Sequence, residues 1–303
     1  MSIIQKPEPL VIGNKAFYTL TSYDPVEVQV IEPLTTDDEV ELALSAIAEQ
    51  AGGTREDLED PSWVEKHLGE SSTIDELKDQ VRKELDAMNE TTVQNQITEQ
   101  CLEKLSERLC QSVPQNQVEQ YENLIARELM ASLTGGQAGV TLNDALRSMS
   151  ISSAQFEALV KEQAKVEAEH AAALDAYASE KKIKVDETEL PHLMGLSPAD
   201  AEAILKKAKA AGQMDALLDS AKRNKALNVV ISEAHVTRSK ETEEEAKQRL
   251  QTTIAQLQAQ ANAAATASEA RNASGTQPSA GGGASPADRE DKPAEGGSGL
   301  KFV

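Results

Sequence analysis

Aromatic side chains are scarce in this chain of 303 residues, which holds three Phe, four Tyr and one Trp. Such rings usually fill deep cores and small-molecule pockets, so a single thick globule is not expected. Cysteine is rarer still. Cys101 and Cys110 stand nine residues apart on one predicted helix. Over that span a helix turns by roughly 900°, placing the thiols on opposite sides about 13 Å apart. They cannot bridge each other there. The four histidines, His67, His170, His192 and His235, lie in separate segments, and none forms a His-x-x-x-His pair, so no zinc or di-metal site is expected. The N-terminus MSIIQKPEPLVIG lacks a charged region followed by a long apolar run. No window approaches the continuous apolar length of a membrane span. The reading is a cytoplasmic chain without a membrane partner.

Charge of one sign is abundant. Net charge is −21, which disfavours nucleic acid and anionic membranes as partners. Between Asp37 and Glu90 stand seventeen acidic residues against five basic ones, a pattern that reads first as a solvated face. No Gly-x-Ser-x-Gly elbow, phosphate loop or dinucleotide fingerprint is present. No cofactor is expected, and the chain reads as not an enzyme.

Periodicity makes the body helical. KAFYTLTSY and VEVQVIEPL alternate and read as a hairpin from Lys15 to Leu34, turning at Asp24-Pro25. Thr35 or Thr36 then caps a helix carrying Val40, Ala43, Leu44 and Ile47, halted by Gly52-Gly53. In PSWVEKHLGESSTIDELKDQVRKEL, a short helix stops at Gly69 and Ser72 or Thr73 opens a long helix that extends to about Ser112. Its apolar stripe breaks between Met88 and Val93, a step that turns the stripe by about 140°. The two halves are therefore expected to face different neighbours, or the helix to bend. Further helices begin at Pro114, at Ser152 with Gln155 as a capping box, at Ser197-Pro198 and at Met214, with an extended piece at Ala234-His235-Val236. From Ala261 onward the composition is Ala, Ser, Gly and Pro, too polar to offset the entropy of ordering, so a disordered tail is expected.

Two apolar groups flank Gly or Pro breaks. Leu133, Val140, Leu142, Leu146 and Met149 form one; Leu190, Leu193, Met194 and Leu196 form the other. Such Met-containing tips can re-pack around varied partners, and they are the candidate client-binding residues. The alternative is that they close their own helical hairpins.

The order of these pieces resembles the C-terminal domain of trigger factor. PSWVEKHLGESSTIDELKDQVRKEL is similar to the lead into its long helix, SVPQNQVEQYENLIARELMASL to its Val-Pro-x-x-Leu-Val arm helix, and AAGQMDALLDSAKRNKALNVVISEAHVTRS to its final helix. The resemblance covers about Ala16 to Ser239. It implies a mainly α, extended multi-helical body with arms around a crevice for unfolded or nascent polypeptides, a small N-terminal β-hairpin and a disordered C-terminal tail. The expected divisions are a hairpin region at 1–36, the helical chaperone domain at 37–238, a helical extension at 239–262 and the tail at 263–303. Two departures stand out. Nothing before Lys15 matches the family's Gly-Phe-Arg-x-Gly-Lys-x-Pro ribosome loop, so the usual ribosome contact is not expected. Only AGGTREDLED joins Gln50 to Pro61, where the family holds its prolyl isomerase domain. The expected function is a trigger-factor-like holdase, with a helical adaptor for one defined protein as the alternative. Two strands alone are marginal in water, so the hairpin is expected to pack on helices, extend, or pair in a homodimer.

Overall fold

The computed structural model describes residues 6–13, 15–69, 73–134, 141–148 and 151–274. The chain is mainly helical, with one spine. Helix α3 (Ile74–Glu107) starts at Thr73, whose hydroxyl accepts from the Glu76 N–H while the Glu76 carboxylate accepts from Thr73. Its stripe is split as the Met88–Val93 step requires. Leu77 and Val81 pack with Val40, Leu44 and Ala48 of α1 (Asp37–Gln50) and Val64 of α2 (Pro61–Leu68). Val93, Ile97, Cys101 and Leu105 enter a second, larger core. Met88, at the break, is 64 % exposed.

The larger core lies between α3, a sheet and the C-terminal half of α6 (Ser153–Glu180), whose Ala172, Ala173, Leu174 and Tyr177 pack there beside Ala226 and Val230 of α9 (Met214–Glu233). The sheet corrects the expected hairpin. Lys15–Phe17 (β2) pairs antiparallel with Leu10–Ile12 (β1), while Glu27–Glu32 (β3) pairs in parallel with His235–Lys240 (β4). Alternation marks a strand but not its partner. Between Tyr18 and Val26 the chain instead runs along the end of α3: Leu20 bridges Leu109, the Thr21 N–H donates to the Arg108 carbonyl at 2.8 Å, and the Cys110 N–H donates to the Thr19 carbonyl at 2.9 Å. Val26, Val28 and Val30 all face the core. On the strand's other edge the Gln100 amide donates to the Gln29 carbonyl at 2.7 Å and accepts from its N–H at 3.1 Å, standing where a further strand would pair.

α3 ends at Glu107 rather than Ser112, so Cys110 lies beyond it; both thiols are free. The segment between α1 and α2 is more than a link. It holds a 3-10 turn, Arg55–Glu59, whose Leu58 is fully buried, and Arg55 and Lys78 both pair with Glu41 at 2.7 and 2.8 Å. Those two bonds hold the Glu41 carboxyl down at about 2. Gly53 is obligatory here, because a Cβ at that position would lie 2.3 Å from Cζ2 of Trp63.

An arm projects from this body. α4 (Gln115–Thr134) and the N-terminal half of α6 bury Val118, Ile125, Phe156, Val160, Ala164 and Ala168, with α5 (Leu142–Ser148) at the tip. α7 (Leu190–Leu193) and α8 (Pro198–Ala211) pack beside α9. α10 (Glu243–Ser274) follows β4 and is helical past the expected boundary at 262; residues 275–303, with the terminal Leu300–Val303 segment, lie outside the described residues.

His170 sits where α6 crosses from arm to body, its Nδ1 enclosed and without a hydrogen-bond partner. Burial lowers its pKa, outweighing the charges of Glu167, Glu169, Glu103 and Glu99. A neutral imidazole in the folded state means that the unfolded chain binds the proton first. Stability is therefore full above about 6.5 and falls as pH drops through the lowered folded value. Denaturation at pH 7.5 and 5.5 should show that part of the acid loss disappears in His170→Gln. Gly53→Ala should lower stability by about 1–3 kcal/mol through the clash with Trp63, read as a lower denaturation midpoint with Trp63 fluorescence as the probe.

Candidate functional site

The arm and body enclose a crevice of about 790 Å³ between the hairpin, α4, α6 and α9. Its existence follows from small residues. α6 presents Ala164, Ala168 and Ala172 at steps of four, with Ala171 beside them, so this face packs closely at depth and leaves open space towards solvent. Ala168, Ala171 and Ala172 form one wall, and Ala216 of α9 faces the same space. Gln117, Gln120, Tyr121 and Leu124 of α4 form another, with Val11, Lys15 and Ala16 of the hairpin at the mouth.

The polar groups in the crevice are held by one another. Arg223 of α9 donates through Nε and Nη2 to the two Asp175 oxygens at 2.9 and 2.8 Å, and through Nη1 to the Tyr121 hydroxyl at 3.4 Å. Tyr18 donates to Gln117 Oε1 at 2.6 Å. At the mouth Lys15 pairs with Asp219 at 2.9 Å, an exposed contact that adds little stability. Burial, with the Asp175 charge behind it, pushes the Tyr18 phenol up to about 12. Burial also raises Tyr121. For Arg223 burial acts downward, but the Asp175 hydrogen bonds and charge more than offset it, so the guanidinium stays charged. Tyr18, Tyr121 and Arg223 thus do not exchange protons near neutral pH, as general acid–base chemistry would require. The crevice offers donors, acceptors and short apolar surface.

Glu-x-x-His occurs at Glu167/His170 and at Glu189/His192, but Glu189 is taken by Lys225 at 2.5 Å. Among the described residues no group of three His, Cys, Asp or Glu could hold an ion. Among them, too, no helix is long and apolar enough to cross a membrane.

The candidate client-binding residues fall elsewhere. Leu146 is buried in the arm's core beside Phe156, with Leu133 and Leu142 half-buried against it. Val140 and Met149 lie outside the described residues. Leu190 is buried, and Leu193, Met194 and Leu196 are half-buried in and after α7. Of the described ones, none lines the crevice. Among the described residues, exposed apolar side chains include different ones: Val11 at 55 % and Leu124 at 49 % border the crevice, while Leu10, Ile12 and Phe17 extend the hairpin and Leu159 and Val166 mark α6. A signal for Leu124 was present. Val118, Tyr121, Leu124, Ile125 and Leu129 make a stripe too wide for a two-helix arm to cover, so one edge stays outside.

Asp175→Ala should destabilise the fold by about 2 kcal/mol by stranding the Arg223 guanidinium. Arg223→Leu combined with Asp175→Leu should recover most of it, since no charge is then left unpaired. Chemical denaturation of the three variants checks this.

Residues 73–232 match the family model of the bacterial trigger factor protein C-terminus. Trigger factor of Streptomyces avermitilis is 32% identical over 175 residues, covering 55% of this chain and 37% of that protein. This chain thus spans little more than a third of that relative's length. A solved structure of trigger factor domains from Thermotoga maritima aligns with a TM-score of 0.32 and 20% identity over 48% of this chain and 85% of that one. The matched segment holds α3 to α9, the spine, the arm and three of the crevice's four walls, and takes in just over half of the residues. The chain belongs to the bacterial trigger factor C-terminus family.

Proposed function

We propose that this protein is a trigger-factor-type chaperone of the cytoplasm that holds unfolded or nascent polypeptides in the α4–α6–α9 crevice and keeps them from aggregating. The observation that carries this reading is the crevice lining: alanine walls, exposed Val11 and Leu124, and amide, hydroxyl and carboxylate groups. An extended polypeptide presents backbone N–H and C=O groups at every residue and apolar side chains at intervals. That surface can meet both kinds of wall without specific shape. Membership of the trigger factor family supports the same reading, and the charge of −21 keeps client complexes soluble.

The holding is not accompanied by prolyl isomerisation. Between Gln50 and Pro61 the chain has room only for the 3-10 turn at Arg55–Glu59, which is packed into the α1–α2–α3 core. Holding a client requires affinity that is distributed and weak at each point, so the substitutions that weaken it must change apolar contact.

Aggregation of a denatured model protein, followed by light scattering, is expected to be suppressed by the purified chain at several-fold molar excess. Suppression should fall markedly for Leu124→Asp combined with Val11→Asp, while circular dichroism stays unchanged. A chain that suppresses nothing, yet binds one folded protein tightly, would instead be an adaptor. A proline-limited refolding step should proceed at the uncatalysed rate in its presence, and ribosomes should sediment without it.

A further inference from the structure

Helix α10 lies outside the matched segment and touches two distant parts of the molecule. At its start Thr242 caps the helix with Glu245, and Ala246 is fully buried. Arg249 then binds three separate places. Nε donates to Glu241 Oε1 at 2.9 Å, Nη1 to Glu39 Oε1 of α1 at 2.5 Å, and Nη2 to the Leu34 carbonyl at 3.0 Å. Glu241 in turn accepts the Leu34 N–H at 2.8 Å. The side chains of Glu241 and Glu39 are only 8% and 13% exposed, against 34% for Arg249, so the acceptor side of this joint is shielded from solvent in a way that surface ion pairs are not. The same helix comes alongside α5 at the tip of the arm. With 32 residues it is about 48 Å long, long enough to reach from the body to the tip.

The arm's other attachment is at its root, where α6 runs without interruption from the arm core into the body core. A tie at the tip acts with the longest lever on such an arm. We propose that α10 is a strap, anchored on the body by the Arg249 joint and laid against α5, that restrains the arm and so limits how widely the crevice opens. The restraint itself is independent of function; its consequence for clients rests on the chaperone reading above.

The test uses the full chain with Cys101→Ala and Cys110→Ser, and spin labels at Asn143→Cys on the arm tip and Glu65→Cys on α2, both exposed positions. Double electron–electron resonance should give a narrow distance distribution in this background. Arg249→Ala, which removes the anchor, should widen it roughly twofold. Ala255→Pro, which leaves Arg249 in place and breaks the helix beyond it, should do the same. Should Arg249→Ala lose helical content by circular dichroism, Ala255→Pro decides alone. A distribution unchanged by Ala255→Pro overturns the strap. In parallel, capture of a fluorescently labelled denatured model protein should rise several-fold in the variants. Widened distances with unchanged capture overturn the gating of clients. If the unaltered chain captures nothing, the chaperone reading fails while the distance measurement still decides the strap.

Discussion

Helix α3 is shared by two cores that do not touch the same side of it, and the rest of the architecture hangs on that sharing. Leu77 and Val81 serve the small α1–α2 core; Val93 to Leu105 serve the large one. A straight apolar stripe would have bound both neighbours to one face and collapsed them together. The turn of the stripe at Met88 separates them, so a single helix sets the distance between two packed units. Each unit is thin, and stability is spread along the helix rather than concentrated in one centre.

The arm is attached to this spine through α6, which repeats the device with different residues. Its first half is anchored by Phe156 and Val160 and its second by Leu174 and Tyr177. Between them the apolar positions shrink to alanine. Small side chains permit close helix approach where partners exist and leave a hollow where they do not, and the crevice lies along that stretch. The Arg223–Asp175–Tyr121 contacts join α9, α6 and α4 at its inner end, so the opening is bordered by groups that are already satisfied and rigid. The crevice is therefore a preformed surface and not one that must first be dissolved.

Excess negative charge has a structural side as well as a solubilising one. Some of the acids at 37–90 are placed by specific bases: Glu41 by Arg55 and Lys78, Asp37 by Arg82, and Glu90 by Arg238 of β4. Glu39 is held by Arg249. The few cations of the acidic region and its neighbours thus act as joints between elements, which a count of net charge does not reveal.

Much of the chain could be read before any coordinates. Thr36, Thr73, Ser152 and Ser197 cap the helices at the expected places, and Gly212 ends α8 in the left-handed conformation, because capping is a local matter between residues three or four apart. The split in α3 was legible for the same reason: helical phase is arithmetic on neighbouring positions. Pairing across the chain was not. Alternation in VEVQVIEPL marked β3 as a strand, yet its partner, His235–Lys240, lies some two hundred residues away and carries no complementary code that the strand itself displays. The surface was equally out of reach. Leu146 and Leu124 both sit on apolar helix faces, but one is enclosed by Phe156 and Val118 while the other stays open, since exposure depends on which neighbour arrives. The sequence alone determined most of the helices, the caps at their starts and the family, but not where α3 and α10 end. Tertiary packing decided the strand partners, the crevice and which apolar side chains remain free, because those depend on contacts between segments far apart in the chain.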